Sequence, residues 1–280
     1  MGSFDILHKI IDTHIHLSER KDDMLIPYAR INGLEYTLEE LLRLMEQQGV
    51  AKGLLLSPPL QSGVPLPNEE VIDICSKSDL KLLPILTAEP ETGAIRAAIK
   101  LAQENRENIR GFKIRLGYVN AYATDPIFDK LYDFAEVEHL PVLFHTGDTA
   151  TNNGSLSRSH PLTLDALANK REALTIVLCH FGNPWFQDAA ELIYKHQNVF
   201  VDISGLITGG GRYPEKYMGW VTERINEAIY YAGGADKVIF GTDYPVSRYL
   251  DVLQLVERLD ISEEDRENIL WRNASAVFRL

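Results

Sequence analysis

The fold turns on Ile10-Ile11-Asp12-Thr13-His14-Ile15-His16. This short run, rich in β-branched residues, reads as a buried strand. Working outward, comparable runs recur at about 52–57, 81–87, 111–116, 141–146, 174–180, 198–204 and 237–243, which makes eight. Between them lie amphipathic helical patterns near 67–78, 91–106, 126–139, 162–170, 184–196, 214–232 and 248–259. Another opens at Leu38, capped by Thr37 with Glu40 three residues on, as in a capping box. The alternation predicts parallel strands joined by crossovers. Eight repeats predict an α/β fold closed as a (β/α)8 TIM barrel, where a doubly wound sheet more often stops earlier. A last helix opening at Ser262 is expected to pack outside the barrel. No Ser/Gly linker or low-complexity run divides the chain, so residues 1–280 are expected to form a single domain.

Composition narrows the partners. The 280 residues carry 28 Lys and Arg against 40 Asp and Glu, a net charge of -12, which disfavours phosphate-backbone binding as the main activity. The two cysteines, Cys75 and Cys179, are too far apart for a CxxC motif, so neither a disulfide framework nor a thiolate zinc site is implied. No apolar leader or membrane-length run is evident, and a cytoplasmic protein acting on a small molecule is expected, with no nucleic-acid or membrane partner. Amphipathic outer helices leave room for a homodimer.

The chemistry gathers at strand ends. On a strand His14 and His16 point to one face about 6.6 Å apart, and both imidazoles can lean onto one ion. His145, His180 and Asp243 end the fifth, sixth and eighth predicted strands, the end of a barrel that carries active sites. Alternation places Leu143 with His145, Leu178 with His180 and Gly241 with Asp243 on the lumen face. It turns Val142 with Phe144, Val177 with Cys179 and Val238 with Phe240 towards the helices. The longest irregular stretches, 17–36, 146–161 and 205–213, open at the same mouth.

Ile11-Asp12-Thr13-His14-Ile15-His16, Pro141-Val142-Leu143-Phe144-His145-Thr146-Gly147, Val177-Leu178-Cys179-His180-Phe181-Gly182 and Phe240-Gly241-Thr242-Asp243-Tyr244-Pro245 resemble the successive signatures of the amidohydrolase superfamily. They are most similar to its metal-dependent TIM-barrel branch, the amidohydrolase 2 family, which includes lactonases and the aminocarboxymuconate-semialdehyde decarboxylase group. Asn268-Ile269-Leu270-Trp271-Arg272-Asn273-Ala274-Ser275-Ala276 resembles the closing helix of that branch. The resemblance implies that His14, His16, His145 and Asp243 hold one divalent ion, zinc by expectation. It places His180 beside the ion. Such a site lowers the pKa of a bound water, Asp243 takes and returns its proton, and His180 polarises the substrate.

Lys113 and Arg115 share one face of the fourth strand. The preferred reading is that both stay cationic and hold a substrate carboxylate. Two alternatives stand beside it: carboxylation of Lys113, which would admit a second ion, and pairing of Arg115 with an acidic neighbour at the rim. Many members of the branch carry histidine where Arg115 stands. His160 lies at the mouth and is a candidate substrate contact. His139 and His196 close helices, where a cation suits the helix dipole, and His8 is expected at the surface. The Gly209–Gly211 run reads as a rim loop. The leading expectation is metal-dependent hydrolysis of a small carboxylate-bearing lactone, amide or ester. The alternative is non-oxidative decarboxylation of an aromatic or unsaturated acid.

Overall fold

A computed structural model describes residues 9–209 and 211–280. The expectation for His8 and the centre of the 209–211 run lie outside these residues. Eight parallel strands follow one another in sequence order: β1 (Ile10–His16), β2 (Val50–Leu56), β3 (Leu82–Thr87), β4 (Phe112–Ile114), β5 (Val142–Phe144), β6 (Ile176–Leu178), β7 (Val199–Asp202) and β8 (Val238–Ile239). The ring closes through Thr13 N–H on the Phe240 carbonyl (3.1 Å), Asp243 N–H on His14 (2.7 Å) and His16 N–H on Tyr244 (2.8 Å). It is a TIM barrel.

The helices form where the apolar spacing places them. Leu38–Gln47 starts at Thr37, whose hydroxyl accepts the Glu40 N–H, and buries Leu41 and Met45. Pro214–Ala232 opens with proline and ends at Gly233 in the left-handed region. Strand residues pointing outward, such as Phe112, Phe144 and Val201, join helix residues such as Leu131, Ala189 and Ile225 in the larger core. Those pointing inward form a second core with Ile11, Leu54, Leu83, Leu143, Val177 and Ile239.

Three expectations change. Residues 17–36 contain a helix, Ile26–Ile31, which buries Ala29. The final helical segment packs outside the barrel only in part: Ile269 joins the outer core, whereas Ala274 and Phe278 belong to the inward core. Parity on the sixth strand is reversed. β6 ends at Leu178, which faces outward, while Val177 and Cys179 face the lumen. Among the described residues, no helix is long and apolar enough to cross a membrane.

Candidate metal centre

The first strand reaches the site through a bulge. Asp12 pairs with Gly53 and Ile15 with Leu55, so three steps on β1 face two on β2. The extra residue lets Ile11 occupy the inner core while both histidines still reach the site above it. The sixth strand uses a different device. In the tight turn Cys179–Gly182, His180 and Phe181 adopt φ of 62° and 49°, and this reversal brings His180 inward from a strand of the opposite parity. Asp243 is also left-handed, at φ 63°. Such conformations are uncommon for non-glycine residues and cluster at functional sites.

Together these devices bring His14, His16 and Asp243 to one place. Asp243 Oδ1 lies 3.2 Å from His16 Nε2 and 3.6 Å from His14 Nε2. Donor atoms around a tetrahedral zinc ion with bonds of about 2.0–2.1 Å stand about 3.3 Å apart. The remaining ring nitrogens are already engaged. His14 Nδ1 donates to Asp202 Oδ2 (3.0 Å) and His16 Nδ1 to the Leu56 carbonyl (3.0 Å), which leaves each Nε2 lone pair for an ion.

Charge states suit a cation as well. Burial, helped by Lys113, pushes the His14 imidazole down to about 3. Burial opposes ionisation of Asp243, but His16 and the other imidazoles beside it outweigh that and hold the carboxyl at about 2. A neutral His14 beside the ionised Asp243 carboxylate suits a divalent ion. The residues present fit one.

His145 and His180 stand next to this trio. The His180 ring lies 4.9 Å from those of both His14 and His145, and burial lowers the pKa of both His180 and His145. His145 Nε2 donates to the Asp148 carbonyl (2.9 Å), and His145 is outside the close donor group. Of the four expected ligands, the structure gathers three and sets His145 beside them.

A cavity of about 740 Å³ opens above, within the range of small-molecule sites. All three expected loops line it, through Tyr28, Asp148 and Thr208, and so does the 57–66 segment, through Pro59 and Gln61. Lys113 and Arg115 both reach it. Lys113 is 5% exposed, and its ammonium donates to Cys179 Sγ (2.7 Å). Arg115 lies against Glu89, 3.1 Å from Nη2, as the rim-pairing alternative expects. His160 packs on Trp185 and is not among the cavity-lining residues. His139 and His196 end helices, and His196 bonds to Asp165 (2.8 Å).

Sequence reasoning missed Asp202 and Ser204. Asp202 accepts from His14, and Ser204 Oγ sits 2.9 Å from His180 Nδ1. Asp202 ends β7 and lies near the end of the predicted run 198–204, and that position was the signal that could have found it. A second buried trio, His14, Cys179 and Asp202, shares His14 with the first and supports it from below.

Two curated relatives are gamma-resorcylate decarboxylases. The one from Rhodococcus jostii (strain RHA1) is 22% identical over 85% of this chain and 86% of its own. The one from Polaromonas sp. (strain JS666 / ATCC BAA-500) is 28% identical over 45% of this chain, and that match spans 41% of the relative. Among solved structures, an amidohydrolase from Burkholderia multivorans with bound zinc superposes with TM-score 0.72 at 17% identity, over 97% of this chain and 99% of that one. A probable 2-pyrone-4,6-dicarboxylic acid hydrolase from Acinetobacter baumannii with citric acid bound gives 0.70 at 18%, over 97% and 100%. A dihydroxybenzoic acid decarboxylase from Polaromonas sp. JS666, with bound manganese and the inhibitor 2-nitroresorcinol, gives 0.68 at 16%, over 98% and 97%. These likenesses show the shared fold. The family model described as Amidohydrolase (Amidohydro_2) matches residues 11–280, and the chain therefore belongs to the amidohydrolase family.

Proposed function

We propose that this protein is a metal-dependent, non-oxidative decarboxylase of a small aromatic or unsaturated carboxylic acid. Hydrolysis, the leading expectation from sequence, gives way to its alternative. The observation that carries this choice is that both curated relatives are decarboxylases, one of them matched along most of both chains. The geometry is compatible with either chemistry.

In this reading His14, His16 and Asp243 hold one divalent ion, and His145, beside His180, is the candidate for a fourth ligand. Two imidazoles and a carboxylate suit zinc or manganese. The ion, when bound, supplies positive charge that orients an oxygen-bearing substrate and stabilises negative charge developing on it. Lys113 holds the substrate carboxylate from the cavity floor, and Arg115 adds a cation at the rim, tempered by Glu89. Asp243 is ionised and His180 neutral in the resting site, so the proton comes from a hydroxyl of the bound substrate. His180 takes it and returns it to the carbon that loses CO2, and the product hydroxyl regains a proton from solvent.

One observation favours hydrolysis as a second reading: the A. baumannii structure is of a probable hydrolase and superposes along nearly the whole chain. Metal-loaded protein incubated with a panel of benzoate-type acids and lactones separates the two. Release of CO2 with proton uptake supports decarboxylation. Ring opening with acid release and no CO2 overturns it.

A further inference from the structure

The groups that hold His180 form a chain that also reaches His14. Asp202 Oδ1 accepts the backbone N–H of His180 (2.8 Å), the backbone N–H of Ser204 (3.0 Å) and the Ser204 hydroxyl. The single hydroxyl hydrogen of Ser204 is therefore spent on Asp202. Its lone pairs face two ring nitrogens, His180 Nδ1 at 2.9 Å and His14 Nδ1 at 3.0 Å. Each nitrogen also meets a group that only accepts: the Ser204 carbonyl is 3.1 Å from His180 Nδ1, and Asp202 Oδ2 is 3.0 Å from His14 Nδ1. Both rings must carry their hydrogen on Nδ1.

We infer that Asp202 and Ser204 are positioning residues which fix His180 as its Nδ1–H tautomer and so present a bare Nε2 to the substrate as a proton acceptor. The inference rests on the proton-carrying role given to His180 above. The Asp202 carboxylate faces the His180 ring through this one hydroxyl. The same carboxylate orients His14. Proton carrier and metal ligand thus share one anchor, and the two imidazoles hold a fixed relation to each other.

The test uses NMR of the ring nitrogens in full-length protein containing isotope-labelled histidine, with the His180 signal identified by its loss in His180→Gln. The expected result is hydrogen on Nδ1 and a bare Nε2. A native His180 carrying its hydrogen on Nε2 overturns the inference, whatever the activity. Kinetics give a second measurement. Ser204→Ala is expected to lower kcat about tenfold, the worth of one hydrogen bond to a charged group. KM and bound metal should stay unchanged, the solvent deuterium isotope effect on kcat should rise, and Ser204→Thr should restore the native values. Unchanged kcat in Ser204→Ala alongside an inactive His180→Gln overturns the inference and leaves the decarboxylase reading intact. Native kcat in His180→Gln instead removes His180 from that reading, and the ring-nitrogen spectrum still decides the tautomer.

Discussion

Asp12 at the start of the chain and Thr242 near its end are tied by two hydrogen bonds across 230 positions of sequence, from the Thr242 N–H (2.9 Å) and from its hydroxyl (2.6 Å). Asp12 also accepts the N–H of His14 (3.0 Å). One buried carboxylate thus closes the barrel seam and sets the spacing between a histidine and an aspartate of the metal site. Asp12→Ala strips the partners from these buried donors and is expected to cost about 3 kcal/mol. Chemical denaturation should show it as a lower midpoint at unchanged slope.

The proposed ligands should not be equal. His16 and Asp243 meet at 3.2 Å with their other contacts already arranged, whereas His145 must give up the Asp148 carbonyl to join. Chelator competition is expected to find a larger loss of metal affinity for His16→Ala than for His145→Ala. The reverse order would make His145 the principal ligand.

Gly205 has a φ of 65°, and a Cβ there would lie 2.8 Å from Asp243 Oδ2 and 3.0 Å from His180 Nδ1. Gly205→Ala therefore adds about 1–2 kcal/mol of backbone strain and pushes on two site residues at once. The expected outcome is a folded protein, normal by circular dichroism, whose kcat falls by more than its stability loss accounts for.

Lys113 and Arg115 should separate in kinetics. The Lys113 ammonium is buried with a thiol as its hydrogen-bond partner, while Arg115 already has Glu89. Lys113→Met is expected to reduce kcat/KM for a carboxylate substrate about tenfold to a hundredfold, and Arg115→Ala by less. Intact mass should find Lys113 without a carboxylate adduct, because its Nζ lies against Cys179 Sγ.

The barrel was legible because each strand is a short apolar run between helical patterns, and all eight predicted runs overlap an observed strand. The strand-end histidines and Asp243 were legible for the same reason: position on the scaffold gives a polar residue meaning. Parity was not. Counting alternate residues put His180 on the inner face of its strand, but β6 stops at Leu178 and the left-handed turn at His180 and Phe181 does the work instead. Nothing in the residue types there announces positive φ. The roles of Asp202 and Ser204 were hidden differently, since they depend on a hydrogen-bond network spanning three strand ends that no local pattern encodes. The last helix was expected wholly outside because a sequence period shows that a face is apolar, not which core will receive it, and the segment divides between the two.

The proposed activity depends on one divalent ion held between His14, His16 and Asp243. Elemental analysis of protein purified without added metal, set beside Asp243→Ala prepared in the same way, tests it most directly. One ion per native chain and a large loss in the variant is the predicted result. A folded variant that retains the full complement of metal would contradict it.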